Sequence, residues 1–80
     1  MNWTPETLEH AVSAAPVDPA TERPTLRGKD SRGENVTVCM QPFNAGFYVL
    51  CKGVIHSLRE RDAVAYLNAF GFQPDGEEAK

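Results

Sequence analysis

Hydrophobic and polar positions change period twice along this chain. Leu8, Ala11, Val12 and Ala15 recur at i, i+3, i+4 and i+7, the apolar stripe of a helix. The helix start is well marked: Thr4 is placed to cap the first amides, Pro5 sits where a missing N–H is harmless, and Glu6 faces the positive end of the dipole. Trp3 and Leu8 have the spacing of a hydrophobic staple around that cap. Pro16 ends the helix. Its stripe is narrow and rich in alanine, so the helix needs a surface to lie on. Pro16, Pro19 and Pro24 then predict a stiff, extended connection over residues 16–24.

The centre switches to period two. Val36, Val38 and Met40 alternate with Asn35, Thr37 and Gln41, which predicts a strand, and Phe47-Tyr48-Val49-Leu50-Cys51 predicts another. Asn44-Ala45-Gly46 between them suits a three-residue hairpin loop closed by a left-handed glycine. That loop sets Phe43 opposite Phe47, Gln41 opposite Val49 and Cys39 opposite Cys51. Ser31-Arg32-Gly33 has the same form and folds Thr25–Lys29 back onto Asn35–Cys39, with Leu26 opposite Val38. Its weak point is Asp30 facing Glu34, a like-charge pair beside the turn. With this register one sheet face carries Leu26, Val36, Val38, Met40, Tyr48, Leu50 and Val54. The other carries Thr25, Arg27, Lys29, Asn35, Thr37, Cys39 and Gln41 together with Phe43, Phe47, Val49 and Cys51.

Ser57-Leu58-Arg59-Glu60 has the pattern of a capping box opening a second helix, whose stripe is Ala63, Tyr66, Leu67 and Phe70. Gly71 stands as its left-handed terminator, with Phe72 placed to close over Leu67. Residues 73–80 are polar, hold Pro74 and Gly76, and predict a flexible acidic tail after a single domain over 1–72. The expected fold class is α+β: an N-terminal helix, a three-stranded antiparallel β-meander, and a C-terminal helix packed on the sheet. Whether the first helix covers the second sheet face decides what the molecule shows its surroundings.

Composition adds constraints. Eighty residues support one small core. The net charge of −3 gives no bulk attraction to nucleic acid or anionic membrane. Residues 23–59 are nevertheless net basic, through Arg23, Arg27, Lys29, Arg32, Lys52 and Arg59, while both ends are acidic. No stretch approaches the roughly 20 apolar residues that span a bilayer. Trp3-Thr4-Pro5-Glu6 occupies the place where a secretory signal carries a basic and then an apolar run. A cytoplasmic setting is expected, with no membrane association and with Cys39 and Cys51 as reduced thiols.

The chemistry-bearing residues form no known constellation. A cysteine nucleophile would need His10 or His56 beside Cys39 or Cys51, and a zinc site would need ligands in closely spaced pairs, which these four are not. Glu6, Glu9, Glu60 and Asp62 lie at helix starts, where acids favour the dipole. The glycines are spaced as turn residues, without a phosphate-cradling cluster. The expectation is a non-enzymatic chain with no catalytic residue, no metal and no cofactor.

Two binding readings follow. Arg27, Lys29, Asn35, Thr37 and Gln41 on one face are residue types suited to phosphate and base contacts. In topology, a three-stranded meander followed by a helix resembles the sheet domains that lay strands in the major groove, such as the arm-binding domains of tyrosine recombinases. That resemblance implies a small DNA-binding domain, against which stand the acidic ends. The second reading is protein recognition, with Phe43, Phe47 and Tyr48 beside a hairpin tip as anchors and Glu60 and Asp62 as flanking acids. The competing role for the aromatics is a small core beneath the first helix and Trp3. Protein recognition is the favoured expectation. In general character the chain is like small phage or mobile-element inhibitors of a bacterial host factor, anti-CRISPR proteins among them, which act by occupying a surface of their target. That target could itself be a nucleic-acid-binding complex. The chain would be a monomer, or a homodimer formed through an exposed strand edge.

Overall fold

Helix α1 (Pro5–Ser13) begins where its capping signals place it. The Thr7 amide donates to Thr4 Oγ1 at 3.2 Å, and the Thr4 amide donates back to Thr7 Oγ1 at 2.9 Å. The structure, a computed structural model, describes residues 2–75. After α1 come β1 (Val17–Asp18), β2 (Arg23–Lys29), β3 (Asn35–Met40), a 3₁₀ turn (Pro42–Asn44), β4 (Phe47–Cys51), β5 (Val54–Leu58), α2 (Glu60–Ala69) and β6 (Gln73–Pro74). The strands form one antiparallel sheet in the order β1-β2-β3-β4-β5, with β6 also pairing with β2.

The α+β class holds, but the described residues form a six-stranded sheet where three strands were expected. Two of the three additions have a local cause. The 16–24 segment is a hairpin and not a simple extended connection: Asp18 Oδ1 accepts the Ala20 amide at 2.9 Å, and Glu22 takes a left-handed φ of 61°. Lys52 and Gly53 both adopt positive φ, 55° and 78°, a two-residue turn that folds β5 onto β4. Ser57 is therefore a strand residue. The expected capping box is absent: Arg59 is the N-cap of α2 and makes no side-chain cap bond. Of the tail expected over 73–80, Gln73 and Pro74 are β6, and residues 76–80 lie outside the described residues.

The first hairpin has the expected register, Leu26 opposite Val38, with Gly33 at φ 84°. Asp30 and Glu34 do not clash. The Asp30 carboxylate is buried and turned inward, accepting the amides of Arg32 and Glu34 at 2.9 and 3.0 Å and the Arg32 guanidinium at 2.9 Å. Glu34 reaches Lys52 at 3.9 Å.

The second hairpin differs. Its pairs are Met40–Phe47, Val38–Val49 and Val36–Cys51, with Cys39 opposite Tyr48. Pro42 starts the 3₁₀ turn, so the connection runs from Gln41 to Gly46, longer than the three-residue loop expected, and the parity of β4 is reversed. Phe47, Val49 and Cys51 thus join Val36 and Val38 in the core, while Tyr48 and Leu50 pass to the opposite face.

Both helices lie on the face of Val36, Val38, Phe47, Val49 and Cys51, and a single core joins Leu8 and Val12 of α1 to Ala63 and Leu67 of α2 over the sheet. Trp3 locks the two helices together. Its backbone exchanges hydrogen bonds with the Asn68 side chain at 2.6 and 3.0 Å, and its indole N–H donates to the Phe72 carbonyl at 3.1 Å. As expected, α2 ends in a Schellman motif: the Phe72 amide donates to the Leu67 carbonyl at 3.0 Å and Gly71 sits at φ 68°. Among the described residues no helix covers the second sheet face.

Candidate functional site: the hairpin tip and the open sheet face

The two-layer arrangement leaves two regions for contact, the loop between β3 and β4 and the uncovered sheet face. The loop is pinned at both ends. The Gln41 amide donates to the Gly46 carbonyl at 2.9 Å, and the Gln41 side-chain amide donates to the Phe47 carbonyl at 3.0 Å and to Ser57 Oγ at 2.7 Å. Gly46, at φ 129°, packs so closely on the Leu58 carbonyl and Arg59 Cα that any side chain there would collide with backbone.

At the tip, Phe43 holds a left-handed backbone (φ 60°, ψ 29°) and is 100% exposed. Such a conformation costs a bulky residue about 1–3 kcal/mol, and the phenyl ring recovers nothing by burial. A shallow cleft of about 170 Å³ on one side of this loop is lined by Glu9, Met40, Gly46, Phe47 and Glu60. A larger one, about 400 Å³, is lined by Val12, Arg23, Met40 and Pro42 among others.

The expected protein-binding residues separate. Phe43 stays available. Phe47 is 2% exposed and belongs to the core, the competing role foreseen for one of these aromatics. Tyr48 lies half-buried on the far face. Glu60 and Asp62 are exposed at the start of α2, at the same end of the sheet as the tip, because Phe47 pairs with Leu58. They alternate with Arg59 and Arg61, so this turn of helix carries no net charge and is not an acidic patch.

Arg27, Lys29, Asn35 and Thr37 do share the open face, where Leu50 and Ile55 continue the row of Arg27 and Thr37. Gln41 is committed to the loop. Arg27 no longer shares a side with Phe47. Three of the six basic residues of 23–59 have an acid partner within the chain: Arg27 pairs with Asp18 at 3.1 Å, Arg32 with Asp30 at 2.9 Å, and Lys52 with Glu34 at 3.9 Å. Lys29 bonds the Asn35 side chain at 3.0 Å.

The candidate thiols and imidazoles are dispersed. Cys39 is on the open face and Cys51 in the core, so the two do not face each other; both are free. Burial pushes the Cys39 thiol above its ordinary range, which keeps it protonated. His10 is exposed on α1, and His56 stacks on Tyr66 at 5.4 Å between ring centroids. Among the described residues no cluster of three or more His, Cys, Asp or Glu is placed to hold a metal ion. No helix among them is long and apolar enough to cross a membrane.

Sequence reasoning placed Phe43 beside the tip but missed Leu50 and Ile55 on the open face. The Lys52-Gly53 dipeptide, a fit for a primed two-residue turn, was the available signal. Comparison with protein-family models, with curated proteins and with solved structures finds no match to this chain.

Proposed function

We propose that the chain is a non-enzymatic protein-binding module that inserts Phe43 into an apolar pocket of its target. The observation that carries this reading is a fully exposed phenyl ring on a left-handed backbone in a loop pinned at both ends. Both features cost free energy in the isolated chain, and a pre-set aromatic anchor loses little entropy on binding. Buried in a pocket, such an anchor typically contributes about 2 kcal/mol or more. The internal pairing of Arg27, Arg32 and Lys52 favours a protein target over direct contact with duplex DNA.

A rigid scaffold with one projecting anchor suits an inhibitor that acts by occupying a surface. The target proposed is a cytoplasmic bacterial host factor. With net charge balanced around α2's first turn, shape and apolar fit would select the partner, more than charge attraction. The test is capture of targets from a bacterial lysate by immobilised wild-type chain and by Phe43→Ala, with duplex-DNA titration alongside. The reading expects a discrete partner lost with Phe43→Ala and no DNA binding. A partner retained by Phe43→Ala, or duplex binding that falls steeply with salt, overturns it.

A further inference from the structure

Among the described residues, strand β5 closes one side of the sheet and pairs only with β4. Edge strands usually carry a device against self-association: a lysine, a proline, a bulge or a covering element. Val-Ile-His-Ser-Leu has no charged residue and no proline over 54–58, and its pairing to β4 runs without a bulge from Phe47–Leu58 to Cys51–Val54. Val54 is 53% exposed and Ile55 65%.

The turn chemistry says which backbone groups are left over. A two-residue primed turn at Lys52-Gly53 is closed by a hydrogen-bonded pair, Cys51–Val54, and the bonded pairs then alternate along the strand. Val54, His56 and Leu58 therefore spend their N–H and C=O groups on β4. Those of Ile55 and Ser57 point outward, and among the described residues no strand pairs with them.

We infer that β5 is the interface for a second copy of this chain, joined edge to edge and antiparallel across a two-fold axis at His56. In that register Ile55 of one copy and Ser57 of the other exchange both hydrogen bonds, and so does the reciprocal pair. All the outward groups of the two residues are satisfied. Val54 falls opposite Leu58 of the second copy, so the exposed aliphatics gain cover. The identical partner is favoured over a foreign strand because one short sequence meets every one of these requirements against itself. This inference is independent of the role of Phe43, which lies at the β3–β4 loop and not on β5.

The interface is small, so the dimer should form with rising concentration and not persist at high dilution. Light scattering over a concentration series should show the mass rising towards twice the chain mass for wild type. Ile55→Lys, an exposed edge position where folding does not depend on the side chain, should hold the mass at one chain with an unchanged circular-dichroism spectrum. His56→Cys should form an intermolecular disulfide under mild oxidation, because facing residues of a non-hydrogen-bonded antiparallel pair lie within disulfide reach. Wild type, with its native Cys39 and Cys51, should not. Wild type that stays a monomer across the series overturns the inference. So does a dimer that survives Ile55→Lys, or one in which His56→Cys fails to cross-link.

Discussion

Phe43 combines two costs at one residue, a left-handed backbone and a solvated aromatic ring. Phe43→Gly should therefore raise stability by about 1 kcal/mol, because glycine removes the Cβ penalty of that conformation. The same substitution should weaken target binding. Urea unfolding together with the capture assay checks both, and a loss of stability would show that the ring packs in the free protein. Asp30 is the opposite kind of residue, a buried carboxylate whose bonds hold a turn. Burial by itself would raise its pKa, but the Arg32 side chain and the amides of Glu34 and Arg32 outweigh this and hold it below the ordinary carboxylate range. A carboxyl that titrates lower when folded contributes stability above its unfolded value, about 3.9, and loses it as pH falls through the folded value. Asp30→Asn should lower stability at neutral pH and flatten the acid limb of the stability–pH curve between about pH 4 and the onset of acid unfolding. Denaturant midpoints measured across that range check this.

Among the elements, the junction of α1 with the end of α2 joins residues 65 and 69 positions apart in the chain. Trp3 is buried, lies 5.7 Å from the Phe72 ring between centroids, and donates its indole N–H to the Phe72 carbonyl. Trp3→Ala should cost about 3–5 kcal/mol, a large part of what a domain of this size has. Trp3→Phe keeps the ring contact and loses the hydrogen bond, so it should cost about 1–3 kcal/mol for the carbonyl left without its partner. Urea midpoints of the two variants separate packing from bonding. Gly28 tests the sheet in a similar way. β6 and the Phe72 ring press on it so closely that a methyl group would meet the Gln73 carbonyl. Gly28→Ala should displace β6 from β2, and amide exchange at Asp75, whose N–H donates to the Arg27 carbonyl at 3.0 Å, should accelerate selectively.

For the whole molecule, placing both helices on one face determines what remains for partners. The sheet turns a row of Arg27, Thr37, Leu50 and Ile55 outward and ends in an uncharged strand. Pairing through β5 would extend the sheet across the two-fold. Because the strands would run antiparallel, the two Phe43 tips would point to opposite ends of the dimer. If the proposed binding function holds, a dimer of that kind is bivalent and should lose apparent affinity for an immobilised, densely arrayed target with Ile55→Lys, while its affinity for the same target in dilute solution stays unchanged. Surface-plasmon measurements at two target densities distinguish these outcomes.

Much of this was legible in residue order, where the responsible interactions are local. The Thr4-Pro5 helix start, the Ser31-Arg32-Gly33 turn with its register, and the Gly71-Phe72 ending all depend on groups a few positions apart. The same type of evidence misread Ser57, whose hydroxyl accepts from Gln41 instead of capping a helix. Phe47–Cys51 is apolar on both parities, so its pattern could not say which side is buried. Only the tertiary structure decided that, by seating Phe47, Val49 and Cys51 under the paired helices and letting the Pro42 turn take up the extra length. Apolar burial is non-directional and is shared across the whole core, so the side of the sheet that faces water was not set by any one segment.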